Sequence, residues 1–156
     1  MNFRNKMLEL NGYFGTISAA YSEYARAKSI SFNKLMVYYA LFMSSPCKQK
    51  QIADWCGITK QTVHVVIKDM LNEGFVTLSH GKNKKEKLVT ISEKGKKVIF
   101  PIIEELLEKE VTSLKQFGED IDVFIKNVGL FSEMLEKNLL ERNKKLQSNG
   151  SILKRK

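Results

Sequence analysis

The chain has 156 residues, 43% of them hydrophobic and 28% charged, with a net charge of +9 at pH 7. That length suits one domain able to bury a core without disulfides or metals, and the composition argues against a disordered or collagen-like chain. With two cysteines, no secretory leader and no run near the ~18 apolar residues of a membrane span, the sequence predicts a cytoplasmic protein in a reducing compartment, with no membrane association.

In chain order, the spacing predicts a first helix from Lys6 to about Lys28. Its apolar residues Met7, Leu10, Phe14, Ile17, Tyr21 and Tyr24 recur every three or four positions, a coiled-coil-like seam. Leu8, Tyr13 and Ala20 widen that seam, so the helix can pack on its own domain, on a partner chain, or on both. Ser31 is an N-cap candidate for a second helix over Phe32 to Met43, which Ser44-Ser45-Pro46 ends. A third helix begins near Lys48 without a good cap residue, and its start is expected to fray; Ile52, Ala53 and Trp55 are its apolar side.

Gly57 then suits a left-handed turn, Ile58 plugs beneath it, and Thr59 caps a fourth helix with apolar residues at Val63, Val66, Ile67, Met70 and Leu71. Gly74 stops that helix. This is the plan of a helix-turn-helix, whose second helix enters the DNA major groove. Phe75 to Ser79 and Val89 to Ser92 alternate as strands do, around a loop rich in glycine and lysine from His80 to Lys87. Residues 48–97 hold 11 Lys against 5 Asp or Glu, so most of the positive charge coincides with this winged helix-turn-helix.

A helix starts near Ser92 or Glu93 and carries Val98, Ile99, Ile102, Ile103, Leu106, Leu107, Val111 and Leu114; Pro101 inside it predicts a kink or an effective start there. Phe117-Gly118 closes it. A last helix runs from Asp120 to about Leu146, with Ile121, Phe124, Ile125, Val128, Phe131, Leu135 and Leu139 on one face. Residues 147–156 read as a basic, disordered tail. The expected class is therefore mainly α with a small β-hairpin wing: one domain over 1–146, with a winged-helix lobe at 31–97. Its terminal helices, at 5–28 and 119–146, carry more apolar surface than so small a lobe needs. Burial between two chains is the expected use of Met7, Leu10, Phe14, Ile17, Ile121, Ile125, Val128 and Leu135.

Gln51-Ile-Ala, Gly57-Ile-Thr, Leu71-Asn-Glu-Gly-Phe-Val and Lys87-Leu-Val-Thr-Ile-Ser-Glu-Lys-Gly together resemble the multiple-antibiotic-resistance regulator (MarR) family of bacterial transcription factors. The resemblance covers roughly residues 5 to 146. It implies a short strand around Cys47 paired with the wing, a homodimer joined through both terminal helices, and a repressor released from a pseudo-palindromic operator by a small-molecule effector. Relatives commonly bind phenolic or lipophilic effectors between the dimer arm and the DNA-binding lobe. Tyr13, Tyr21, Tyr24, Tyr38, Tyr39 and Trp55 are the candidates here, beside the alternative that these aromatics are plain core.

For double-stranded DNA, the exposed side of the fourth helix offers Lys60, Gln61, His64, Val65 and Lys68. Gln61 suits adenine, the lysines suit guanine or phosphate, and Val65 suits a thymine methyl. Thr59 and Thr62 suit phosphates near the helix start. Lys82, Lys84, Lys85 and Lys87 supply the wing. Two departures from the family pattern matter. Many relatives carry Thr-Arg where this chain has His64-Val65, and Asp-Arg-Arg where it has Asn83-Lys84-Lys85. Lysine lacks the planar fork of arginine, so strong backbone contact with weaker minor-groove discrimination is expected.

No zinc spacing, phosphate-binding loop or catalytic triad stands out, so neither metal, cofactor nor enzyme activity is expected. The rival readings are a winged-helix protein-interaction module without operator specificity and a redox switch through Cys47. Cys56 fits a small core position.

Overall fold

The computed structural model describes residues 1–81, 87–118 and 120–152, with side chains described as far as position 140. Among the described residues six helices and three short strands follow one another: α1 Phe3–Ala27, α2 Phe32–Ser44, β1 Cys47–Lys48, α3 Gln49–Cys56, α4 Lys60–Asn72, β2 Val76–His80, β3 Lys87–Ile91, α5 Glu93–Phe117 and α6 Ile121–Ile152. The chain forms two compact units, Met1–Glu108 and the residues from Lys109 onward.

In the first unit, α2, α3, α4 and the start of α5 close over an apolar interior. Leu35, Leu41, Ile52, Val63, Ile67, Met70, Val89, Ile99 and Ile103 are all fully buried there, and Tyr38 joins them. Ala25, Tyr21 and Tyr24 at the end of α1 pack against the same core. The sheet is antiparallel in the order β1-β3-β2. Cys47 faces Val89 across one ladder; Val76 faces Ile91 and Leu78 faces Val89 across the other. The two-residue β1 pairs with the wing as the resemblance implies.

Caps set most boundaries. Ser31 Oγ accepts from Lys34 N–H at 3.1 Å, and Thr59 Oγ1 accepts from Thr62 N–H at 3.1 Å. At the end of α4, Gly74 takes φ +74°, Phe75 N–H reaches Met70 O at 2.8 Å, and Gly74 N–H reaches Leu71 O at 3.0 Å. That double closure satisfies carbonyls a helix end otherwise leaves open. Ser29 closes α1 in the same left-handed region at φ 58°, although it is not glycine.

Several expectations are corrected. The start of α3 is pinned rather than frayed: Lys48 N–H donates to the Gln51 side-chain carbonyl at 2.9 Å, and β1 holds the residue before it. Trp55 is 53% exposed, because Ile52 and Ala53 turn inward and a 3.6-residue period carries Trp55 off that stripe. Helix α5 begins at Glu93, within the expected start at Ser92 or Glu93, and runs through Pro101; of the two expectations for that proline, an effective helix start there is the one overturned. The strands extend to His80 and Lys87, so Lys87 is a strand residue facing His80. Helix α6 continues past Leu146 to Ile152; residues 153–156 lie outside the described residues.

The second unit holds the end of α5, the turn at Gly118 (φ +70°) and α6. Asp120 Oδ1 accepts from Val123 N–H at 3.1 Å to start α6, and Phe117 packs on Phe124 with ring centroids 4.9 Å apart.

Candidate nucleic-acid interface

Helix α4 is two-sided because its sequence is. Val63, Val66, Ile67 and Met70 point into the lobe, while Lys60, Gln61, His64, Val65 and Lys68 are exposed, as a 100° turn per residue requires. The turn that presents this face is built from Gly57 at φ 64° and from Ile58, whose N–H donates to Ala53 O at 3.3 Å while its side chain packs on the core. Thr59 and Thr62 are joined at the helix start by a 2.8 Å hydrogen bond between their hydroxyls. Thr59 is thus engaged in capping, and the remaining first-turn backbone N–H groups beside Lys60 are donors of the kind an anion favours.

The wing stands beside α4. Between them lies a cleft of about 390 Å³ lined by Gln49, His64, Ile67, Lys68, Leu71, Leu78 and Lys87. Its lining combines the apolar Ile67, Leu71 and Leu78 with the polar Gln49, His64, Lys68 and Lys87. This brings one predicted wing residue, Lys87, to the same cleft as two predicted helix residues. Lys82, Lys84 and Lys85 lie outside the described residues. Gln49 and Leu78 were missed in the sequence: Leu78 alternates with Val76 as a core residue does, yet remains 37% exposed where the hairpin leaves the core.

The far end of α4 is anchored by a clasp of polar groups. Glu73 receives Lys34 Nζ at 2.7 Å on both carboxylate oxygens, and its carbonyl accepts from Lys94 Nζ at 2.7 Å. Lys34 and Lys94 also lie over the Phe75 ring, at 5.9 and 5.5 Å from its centroid. Ser92 Oγ donates to Gly74 O at 2.6 Å and accepts from Gly95 N–H at 2.9 Å, so one hydroxyl caps α5 and grips the turn after α4. A Cβ on Gly95 would sit 2.0 Å from Phe75 O. The Ser92-Glu-Lys-Gly lead-in is therefore a joint that fixes α4 against α5, and the glycine inside a helical pattern was its sequence signal.

The candidate effector residues fall in different surroundings. Tyr39 and Trp55 stack at 5.2 Å with planes 28° apart, on the exposed side of α2 and α3. Tyr24 donates its phenol to Ile102 O at 2.7 Å and has Lys28 Nζ 5.3 Å from its ring; burial, then the nearby Glu105 carboxylate, pushes that phenol upward. Tyr21 is half-buried against the core. Tyr38 is buried, and burial followed by Glu73 holds its phenol far above the ordinary range. Tyr13 is exposed and donates to Glu9 at 3.1 Å.

Of the predicted dimer residues, Met7, Leu10, Ile121 and Leu135 are half-buried, whereas Phe14, Ile17, Ile125 and Val128 are exposed. Both thiols are made weaker acids by their surroundings. Burial raises Cys47, and burial plus its neighbour Cys47 pushes Cys56 up to about 11, with its Sγ 3.4 Å from Met36 O. Among the described residues no cluster of three or more His, Cys, Asp or Glu is placed to hold a metal ion, and no helix is long and apolar enough to cross a membrane.

No family model matches the chain, and no curated relative matches it. Solved structures do. NMB1585, a MarR family regulator from Neisseria meningitidis, superposes with a TM-score of 0.79 at 22% identity over 91% of this chain and 99% of its own. A MarR/EmrR family transcriptional regulator from Acinetobacter sp. ADP1 gives 0.66 at 19% identity, over 86% and 98%. CouR from Rhodococcus jostii RHA1, bound to p-coumaroyl-CoA, gives 0.52 at 14% identity, over 60% and 66%. The chain has the winged-helix fold that these transcriptional regulators share.

Proposed function

We propose that this protein, built on the fold of the MarR-family regulators, is itself one of them. In this reading it is a homodimer that binds a pseudo-palindromic double-stranded operator, acts as a repressor in the cytoplasm, and is released by a small-molecule effector. It is not an enzyme. The observation that carries the reading is the face of α4: Lys60, Gln61, His64, Val65 and Lys68 stand clear of the core on a helix whose other side is fully buried, next to a lysine-bearing wing. A two-fold dimer would present two such helices to half-sites about one or two turns (~10 bp multiples) apart.

The uncovered apolar residues of α1 and α6 support the dimer, since exposed stripes of this size on a soluble chain are ordinarily covered by a partner. Effector release rests on the aromatic residues where α1 meets α2 and α5, and on the ligand that CouR holds on the same fold. An effector needs only to prefer one lobe spacing, by a few kcal/mol.

Titration of the full chain on its own upstream DNA and on a scrambled duplex, at several salt concentrations, tests the reading. Gln61→Ala or His64→Ala costs about 1–3 kcal/mol on the preferred site and little on the scrambled one. Lys84→Ala with Lys85→Ala weakens both duplexes alike and flattens the slope of log K against log salt by roughly 0.9 per lost phosphate contact. If the helix variants weaken both duplexes equally, the protein-interaction module is the better reading.

A further inference from the structure

Val65 has no structural reason to be valine. It is 51% exposed, in the middle of a helix whose core positions are already filled by Val63, Val66, Ile67 and Met70. A β-branched residue lowers helix propensity there and covers no apolar neighbour in exchange. Its neighbours one turn away on the helix are Gln61, Thr62, Lys68 and Asp69, all polar. Along α4 it is the one large hydrophobic residue that stands exposed.

We propose that Val65 reads the 5-methyl group of a thymine in the major groove, and that Gln61 pairs with an adenine on the same or the neighbouring base pair. The inference rests on the DNA-reading role proposed above and names the bases that role selects. The thymine methyl is the apolar mark on the floor of the major groove, and adenine offers the N6 donor and N7 acceptor that a glutamine amide matches. Residues at i and i+4 of a helix have Cβ atoms ≈ 5–6 Å apart. The base pairs rise by ~3.4 Å, so that separation matches between one and two steps of the duplex, and the glutamine amide, longer than the valine, reaches back towards the neighbouring pair. His64 and Lys68 flank Val65 on the side of the wing cleft, where they reach purine edges or phosphates. The pairing makes the centre of each half-site rich in A·T.

5-Methylcytosine presents the same methyl group, and the test separates the two sources. Duplexes preferred by the full chain are selected from a randomised pool. Each thymine of a half-site is then replaced singly by deoxyuridine, and the same position is also filled with cytosine or 5-methylcytosine. The wild type is expected to lose about fourfold in affinity at one thymine per half-site, the worth of a single buried methyl. Val65→Ala is expected to bind thymine and uracil duplexes equally there, with an unchanged salt slope. Val65→Thr, which keeps one methyl, is expected to retain part of the discrimination. Because Val65 is exposed and valine is a poorer helix former than alanine, Val65→Ala should melt no lower than the wild type and Val65→Thr close to it, which excludes misfolding as the cause.

A wild type indifferent to uracil at every thymine overturns the proposal while leaving operator recognition intact. So does a Val65→Ala protein that still discriminates as the wild type does, or a preference for 5-methylcytosine without any for thymine. A wild type that selects no preferred duplex overturns operator recognition itself, and this inference with it.

Discussion

The winged-helix lobe and the long terminal helices use the same pattern to opposite effect. In α2, α3 and α4, apolar residues at helical spacing are swallowed: Leu35, Ile52, Val63 and Met70 are 1% exposed or less. In α1 and α6 an equally regular spacing leaves Phe14, Ile17, Ile125 and Val128 between 44% and 55% exposed. The lobe is also tied by polar joints, at Glu73 with Lys34 and at Ser92 with Gly74 and Gly95. The difference teaches that a periodic stripe marks an apolar face without stating whether the rest of its own chain covers it.

The largest test of that contrast places charge on the uncovered stripes. Ile17→Glu with Ile125→Glu would bury unpaired carboxylates in the proposed dimer seam, at about 3–5 kcal/mol each. Sedimentation should then show monomer or aggregate in place of a dimer. A wild-type chain that is already a soluble monomer at micromolar concentration would sink the dimer reading.

Within the lobe, Gly95→Ala forces a Cβ to within 2.0 Å of Phe75 O, a backbone atom that cannot step aside. A loss of about 3 kcal/mol is expected in urea unfolding, the upper range for overpacking. A loss under ~1 kcal/mol would mean that the joint between α4 and α5 is looser than its hydrogen bonds imply.

The closed lobe interior also sets thiol chemistry. Cys56, with its acidity weakened to about 11, holds far less thiolate at pH 8 than a free cysteine, so alkylation of the native protein should run about a hundredfold slower than in denaturant. The effect fades as pH rises towards 11. Fast native labelling would contradict the burial of Cys56, and operator release by peroxide would revive the redox reading at Cys47.

The smallest effect is at the link from α1 to α2. Ser29 holds a left-handed φ of 58°, which costs an L-residue up to about 1–2 kcal/mol and glycine little. Ser29→Gly should therefore raise the melting temperature by a few degrees, equivalent to up to about 1 kcal/mol. A lower melting temperature would show that the serine side chain contributes more than its backbone strain removes.

Much of the candidate interface was legible because it is local. Thr59 caps α4, Gly57 and Gly74 bound it, and its two faces follow from the 3.6-residue period, none of which needs distant residues. Trp55 was misplaced because α3 is short enough that a change of one position in the buried stripe rotates a residue outward. Leu78 escaped because strand alternation gives a side but not the point where the hairpin leaves its support. The start of α3 was misjudged because its anchor, Gln51, works through the backbone N–H of Lys48 rather than through the cap residue's own side chain.

By itself the sequence determined the order of elements, the exposed residues of α4 and the concentration of positive charge around the wing, since capping, turn chemistry and periodicity act over a few residues. Tertiary structure alone decided that Lys34 and Lys94 converge on Glu73 and that Gly95 must lack a side chain beside Phe75. It also decided that Gln49, Leu78 and Lys87 share one cleft with His64. Those facts depend on elements far apart in the chain meeting at ångström separations, and no local rule carries that information.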